Sequence, residues 1–235
     1  MRSFAIAVTA AALLSFGCGR HDEPMARDAA APAPATAAGG SAPEGSSRNS
    51  RPRIVVLGDS LTAGLGLAPA DAYPSVLQRR LDDAGLNYQV ENAGVSGDTS
   101  AGGASRIDWS LDGDVRILLV ALGGNDALRG LPPESLERNL ARIIERARQR
   151  GITVILAGME APPNYGAEYA KRFHDVYPTL AARYGVALVP FLLQGVAGIE
   201  RLNQPDGIHP TAEGARILAD NVWAVLEPIA APQGS

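Results

Sequence analysis

Ile54-Val55-Val56-Leu57-Gly58-Asp59-Ser60-Leu61-Thr62-Ala63-Gly64 opens with four apolar residues and changes character at Gly58. A short apolar run rich in β-branched residues reads as a strand buried on both faces, and the glycine breaks it. Asp59-Ser60 follows at the turn, and the small residues after it could open a helix. A serine at a strand-to-helix turn stands at the carboxyl edge of a sheet, where open α/β folds place their ligands. The backbone N–H groups beside it point outward, which suits a developing oxyanion. Gly-Asp-Ser before a helix is also an ordinary turn with an N-cap, so the reading depends on the rest of the chain.

Outward from this stretch, strands and helices alternate. Apolar runs predict strands over Arg53–Leu57, Tyr88–Asn92, Val115–Leu122, Ile152–Ala157 and Ala187–Leu192. Helical patterns fall near Ala72–Ala84, Ser100–Trp109, Pro133–Arg150, Tyr169–Tyr184 and Thr211–Leu226. The third of these puts Leu136, Leu140, Ile143 and Ile144 on one face and its charges on the other, and Gly151 stops it. Alternation of this kind implies a mostly parallel sheet with helices on both sides. In such a sheet every strand's carboxyl end lies at one edge. Ser60, Gly97, Asn125, Asp206 and His209 all follow predicted strands and can converge there.

A serine hydroxyl is a poor nucleophile near neutral pH and needs a base. The chain has three histidines. His21 lies in a low-complexity stretch, and His174 falls within an amphipathic helix, where it suits a surface or packing role. His209 lies in a Gly/Pro-bounded loop with Asp206 three residues before it. A turn at Gly207-Ile208 would let the carboxylate touch the imidazole, fix its tautomer and stabilise it as it takes the Ser60 proton. Asp206 after Pro205 also suits a plain turn. The order Ser, Asp, His matches other α/β hydrolases, although the Gly-x-Ser-x-Gly elbow is absent. No metal-ligand spacing occurs, and neither Gly102-Gly103 nor Gly123-Gly124 precedes the Lys-Ser/Thr of a phosphate-binding loop. The expectation is a reaction with no cofactor and no metal.

Four blocks then stand in order: Gly58-Asp59-Ser60-Leu61, Asn92-Ala93-Gly94-Val95-Ser96-Gly97-Asp98-Thr99-Ser100, Gly123-Gly124-Asn125-Asp126 and Asp206-Gly207-Ile208-His209-Pro210. Together they resemble the GDSL, or SGNH, hydrolase family over roughly Arg53 to Pro228. Gly123 to Gly130 and Pro163-Asn164-Tyr165-Gly166 are most similar to its bacterial arylesterase, acyl-CoA thioesterase I and lysophospholipase branch. The resemblance implies a three-layer α/β/α, flavodoxin-like fold with five parallel strands in the order 2-1-3-4-5. It implies a catalytic set of Ser60, Asp206 and His209, and an oxyanion hole of the Ser60 and Gly97 N–H groups with the Asn125 amide. Asp59 and Asp126 match no chemical role in it and are assigned to capping and loop support. The implied reaction is hydrolysis of aryl esters, short- to medium-chain acyl esters, thioesters or lysophospholipids through an acyl-Ser60 intermediate. A carbohydrate O-acetyl esterase of envelope polysaccharide is the alternative within catalysis, and a tethered binding lipoprotein the alternative outside it. For acyl specificity, Leu128, Leu131, Met159 and Tyr165 follow strand ends and either line an apolar groove or pack on their own scaffold.

Composition bounds the rest. At 235 residues, with 46% hydrophobic and 20% charged residues, the chain holds one ordinary domain plus extensions. A net charge of −4 argues against a nucleic-acid surface. Residues 1–17, with Arg2 and then an apolar run, read as a secretory signal too short to span a bilayer as a mature helix. The one cysteine, Cys18, follows that run and resembles the lipidation site of bacterial lipoproteins. Gly17 fits that pattern; Ser15 and Phe16 depart from it, and an incidental cysteine in a discarded peptide is the other reading. Residues 18–52 are Ala/Pro/Gly/Ser-rich without apolar periodicity and read as a disordered tether, with a reach of roughly 30 Å. The hydrolase domain is placed at 53–230 and a short tail at 231–235. The expected location is the periplasm, with a lipid at Cys18 as the membrane attachment and, since Gly19 follows it, the outer membrane as the destination.

Overall fold

The computed structural model describes residues 51–231. The signal, Cys18, His21 and the tether as far as residue 50 lie outside the described residues, as does the tail after Ala231.

Five strands, β1 (Arg53–Gly58), β2 (Gln89–Gly94), β3 (Val115–Ala121), β4 (Thr153–Ala157) and β5 (Ala187–Val189), form one sheet. Every pairing is parallel and the order is β2-β1-β3-β4-β5, as the resemblance implied. Ile54 to Leu57 have no exposed surface, which is what an uninterrupted apolar run requires of a central strand. In register, Gly58 of β1 lies between Gly94 of β2 and Ala121 of β3. The three strands therefore end level.

Helices α2 (Tyr73–Asp83) and α8 (Ala212–Ala230) pack together in one layer. The other layer holds α3 (Ser100–Ser105), α4 (Ile107–Ser110), α6 (Pro133–Gln149) and α7 (Ala167–Tyr184). Right-handed crossovers place them so. The predicted face of α6 is the buried one: Leu136, Leu140, Ile143 and Ile144 all enter the core. Two further short helices, α1 (Ser60–Ala63) and α5 (Gly124–Leu128), sit at the carboxyl edge of the sheet.

The structure departs furthest from the expected boundaries at three places. β5 stops at Val189 instead of Leu192, because Pro190 has no N–H for the ladder. The helix expected over Ser100–Trp109 is two helices, broken at Arg106, whose backbone (φ −108, ψ 7) leaves the helical region. The last helix runs through Pro228 to Ala230, where the buried Ala230 rewards the extra turn.

Helix α1 lies unusually close to the strand ends. A Cβ on Gly58 would fall 2.0 Å from Thr62 Oγ1, and one on Gly94 would fall 2.2 Å from the Ala63 nitrogen. Thr62 Oγ1 and the Tyr73 hydroxyl, both buried, share a hydrogen bond of 2.8 Å that fixes α1 to α2. Gly94→Ala should push backbone against backbone. We expect a loss of about 1–3 kcal/mol in urea denaturation, accompanied by a drop in activity from displacement of the Ser60 turn.

Candidate active site

Ser60 is the first residue of α1 and only 8% exposed. As the first residue of a helix its N–H has no partner within the helix. Asp59, 3% exposed, caps that helix, its Oδ1 accepting from the Leu61 N–H at 3.0 Å. The expected capping role of Asp59 is what the structure contains.

The loop before α8 is built by its own hydrogen bonds. Gly207 N–H donates to the Gln204 carbonyl at 2.8 Å across Pro205-Asp206, a β-turn with proline second and glycine fourth. Gln204 N–H donates to the His209 carbonyl at 2.7 Å, closing the loop. Asp206 Oδ1 accepts from the Ile208 and His209 N–H groups at 2.9 and 3.0 Å. Asp206 Oδ2 lies 2.6 Å from His209 Nδ1, and His209 Nε2 lies 2.9 Å from Ser60 Oγ. The His209 backbone N–H, its imidazole and the Ile208 N–H together hold the Asp206 carboxyl down to about 2. An ionised carboxylate only accepts, so Nδ1 carries the imidazole proton and Nε2 faces the serine hydroxyl as acceptor. Hydrogen bonding thus aligns Ser60, His209 and Asp206 in one chain able to move a proton off the serine.

Gly97 is the third residue of a second turn, Val95-Ser96-Gly97-Asp98, closed by Asp98 N–H to the Val95 carbonyl at 3.0 Å. Its φ of +84 is the value that position of a type II turn requires and that glycine adopts freely. Among the described residues its N–H has no protein acceptor. Val95 N–H donates to the Gly58 carbonyl at 3.0 Å, which joins this turn to the end of β1. Asn125 stands in the first turn of α5, its Nδ2 donating to the Asp98 carbonyl at 2.9 Å and to Asp59 Oδ2 at 3.3 Å. The longer of these two bonds is the weaker, and it is the one adjacent to Ser60.

A cavity of about 480 Å³ opens at Ser60 and His209. Leu128 and Met159 line it, together with Glu160, Pro162, Phe191 and Ile208. Leu131 and Tyr165 are not among its lining residues. The Tyr165 hydroxyl donates to the Leu128 carbonyl and the Tyr169 hydroxyl to the Leu131 carbonyl, so these two residues brace the loop that carries Leu128. Phe191 was missed because the sequence places it in a longer β5. His174 pairs with Glu160 at 2.6 Å on the surface, as its helical position suggested. Asp126, 1% exposed, accepts from the Ser100 N–H and hydroxyl at 2.8 and 2.6 Å. It thereby caps α3 from the short helix α5, a role in line with loop support.

Asp59 carries the largest electrostatic cost at the site. Burial raises its carboxyl from 3.8 to about 6, against the lowering effects of the Leu61 N–H, the Asn125 amide and nearby His209. An acid whose folded value is raised loses stability as pH climbs from the unfolded value to the folded one. That window is 3.8 to about 6. Asp59→Asn removes the charge and keeps a good N-cap. Its stability relative to the parent should rise across that window and level off above it, by about 2–3 kcal/mol at pH 7.5. Urea titrations at pH 4 and 7.5 test this; equal differences at both pH values would contradict it.

Comparison with known proteins shows the family. Residues 56–217 match the model of the GDSL-like Lipase/Acylhydrolase family. The chain is 45% identical over 177 residues to Esterase TesA of Pseudomonas aeruginosa, covering 75% of this chain and 88% of that protein. It is 35% identical over 177 residues to Thioesterase 1/protease 1/lysophospholipase L1 of Escherichia coli K12, covering 75% of this chain and 84% of that protein. The crystal structure of TesA matches with a TM-score of 0.73 at 44% identity, over 75% of this chain and 99% of that one. AlinE4, an SGNH-hydrolase family esterase, matches at 0.65 and 43% identity, over 80% of this chain and 100% of that one. The chain belongs to the GDSL-like lipase/acylhydrolase family and is an ester-hydrolysing enzyme.

Proposed function

We propose that Ser60 is the nucleophile of this esterase, His209 its general base and Asp206 the group that orients His209. The observation that carries the assignment is the unbroken chain from Ser60 Oγ through His209 to Asp206, at 2.9 and 2.6 Å. Ser60 Oγ attacks the acyl carbon while Nε2 takes its proton. The oxyanion formed accepts from the Ser60 and Gly97 N–H groups and from the Asn125 amide, which turns from Asp59 toward it. Collapse expels the alcohol or thiol, which leaves with the proton from His209. Water then attacks the acyl-serine, gives a proton to His209, and releases the carboxylic acid as Ser60 regains its own. Asp206, ionised down to about 2, keeps the imidazole oriented throughout the range in which a histidine can act as base.

The substrates we assign are acyl esters, aryl esters and thioesters with short to medium chains, lysophospholipids included. The names of the relatives support this range. So does the cavity, whose 480 Å³ lies within the span of about 300–1,000 Å³ typical of small-molecule sites. Its wall of Leu128, Met159, Pro162 and Phe191 suits a hydrocarbon chain better than an acetyl group on a sugar. The protein from Arg51 onward should hydrolyse p-nitrophenyl esters from acetate upward, with a maximum at an intermediate chain length. Ser60→Ala should cut kcat by at least about a thousand-fold. Retention of full activity by that variant would remove Ser60 from the mechanism.

The amino-terminal sequence supports export to the periplasm and a lipid on Cys18 that holds the domain at the outer membrane by the tether. Cys18→Ser should move the exported enzyme from the membrane fraction to the soluble fraction. Unchanged fractionation would refute the lipid.

A further inference from the structure

Arg129 has no part in the reaction as written, yet it touches peptide groups beside two of the three proposed oxyanion donors, Gly97 and Asn125. It follows α5, and its backbone N–H donates to the carbonyl of Asn125 at 3.2 Å. Its Nη2 donates to the carbonyl of Gly97 at 2.8 Å, from 32 residues away in sequence. The side chain is exposed, and among the described residues it pairs with no carboxylate. Beyond its chain neighbours, a Cβ placed on Gly97 would meet only this guanidinium within 4 Å, at 3.9 Å.

We propose that Arg129 is a positioning residue for the oxyanion hole, holding the Gly97 carbonyl so that the Gly97 N–H stays aimed at the reacting oxygen. The inference rests on the assignment of Gly97 and Asn125 as oxyanion donors. Its physical basis is the freedom of glycine. With no side chain to restrict it, a glycine at φ +84 holds its direction only if the flanking peptides are tied. The peptide joining Gly97 to Asp98 is tied at both ends, its N–H to the Val95 carbonyl at 3.0 Å and its oxygen to Arg129. The first tie lies within the turn and moves with it. The Arg129 tie comes from another element and fixes the turn to the short helix that carries Asn125. Two donors, one from a turn and one from a helix, thereby keep one spacing, which a preorganised hole needs.

The test compares Arg129→Ala, Arg129→Lys and Asn125→Ala in the protein from Arg51 onward, with p-nitrophenyl butyrate as substrate. Arg129→Ala should lower kcat about ten- to a hundred-fold with KM held within about twofold, since the displaced donor acts mainly on the transition state. Inhibition by n-butylboronic acid, whose adduct on Ser60 is tetrahedral, should weaken by the same factor. Arg129→Lys, a donor of similar reach without the planar fork, should recover part of the loss, and the Tm should stay unchanged in both. Asn125→Ala should lose about a hundred- to a thousand-fold in kcat. If Asn125→Ala lost activity while Arg129→Ala kept its kcat, or changed KM alone, the Arg129 role would be overturned and the hole would stand. If Asn125→Ala kept full kcat, the reading of the hole would fall, and the Arg129 role with it.

Discussion

Every functional group at the carboxyl edge depends on how closely α1 approaches the ends of β1 and β2. That approach leaves no room for a side chain on Gly58 or Gly94, whose Cβ positions are taken by Thr62 and Ala63. Main-chain contact of this kind is stiff, because interiors are packed to crystal-like density and adjust little. The Thr62–Tyr73 hydrogen bond adds a second tie, from α1 to the helix layer below. Ser60 is therefore held by strand ends, helix and core together. Its hydroxyl meets His209 at 2.9 Å as a consequence of packing rather than of any local preference.

A second level of support is polar. Asp98 pairs with Arg106 at 2.8 Å, and Arg106 also donates to the Gly58 carbonyl at 3.0 Å. At the break between α3 and α4, the Arg106 side chain thus joins the Gly97 turn to the end of β1. Buried Asp126 and Ser100, with half-buried Asn139, tie α3 to α5 and α6. Asp59 differs from these, because burial outweighs its two hydrogen bonds, from the Leu61 N–H and the Asn125 amide, and raises its carboxyl to about 6. A charge retained beside the nucleophile at a cost in stability is common where stability and chemistry compete.

Much of this was legible in the sequence because it is local. The run Ile54–Leu57 fixes a buried strand by composition, and the face of α6 follows from the spacing of Leu136, Leu140, Ile143 and Ile144. Asp206 and His209 stand three residues apart, so their contact needs only the turn that Pro205 and Gly207 provide. Strand order was legible only through the resemblance, since periodicity carries no information on which strands are neighbours. What escaped is what joins distant segments. Arg129 to Gly97, Asp126 to Ser100 and Gln204 to the Leu65 carbonyl span 32, 26 and 139 residues, and no spacing rule announces them. Position after strand ends suggests Leu131 and Tyr165 as groove walls, but the Leu128 and Leu131 carbonyls and the ring of Tyr169 decide where they face.

The loop from Gln204 to Pro210 closes on itself, and Gln204 Nε2 bridges the Leu65 and Pro210 carbonyls across it. The proposed base and the carboxylate that orients it thus belong to one cassette, with three hydrogen bonds from Ile208 and His209 to Asp206. A shift of this loop as a body would keep Nδ1 on Asp206 while parting His209 from Ser60 and Gln204 from the Leu65 carbonyl. On its return the proposed pair would meet Ser60 without having to re-establish which nitrogen carries the proton.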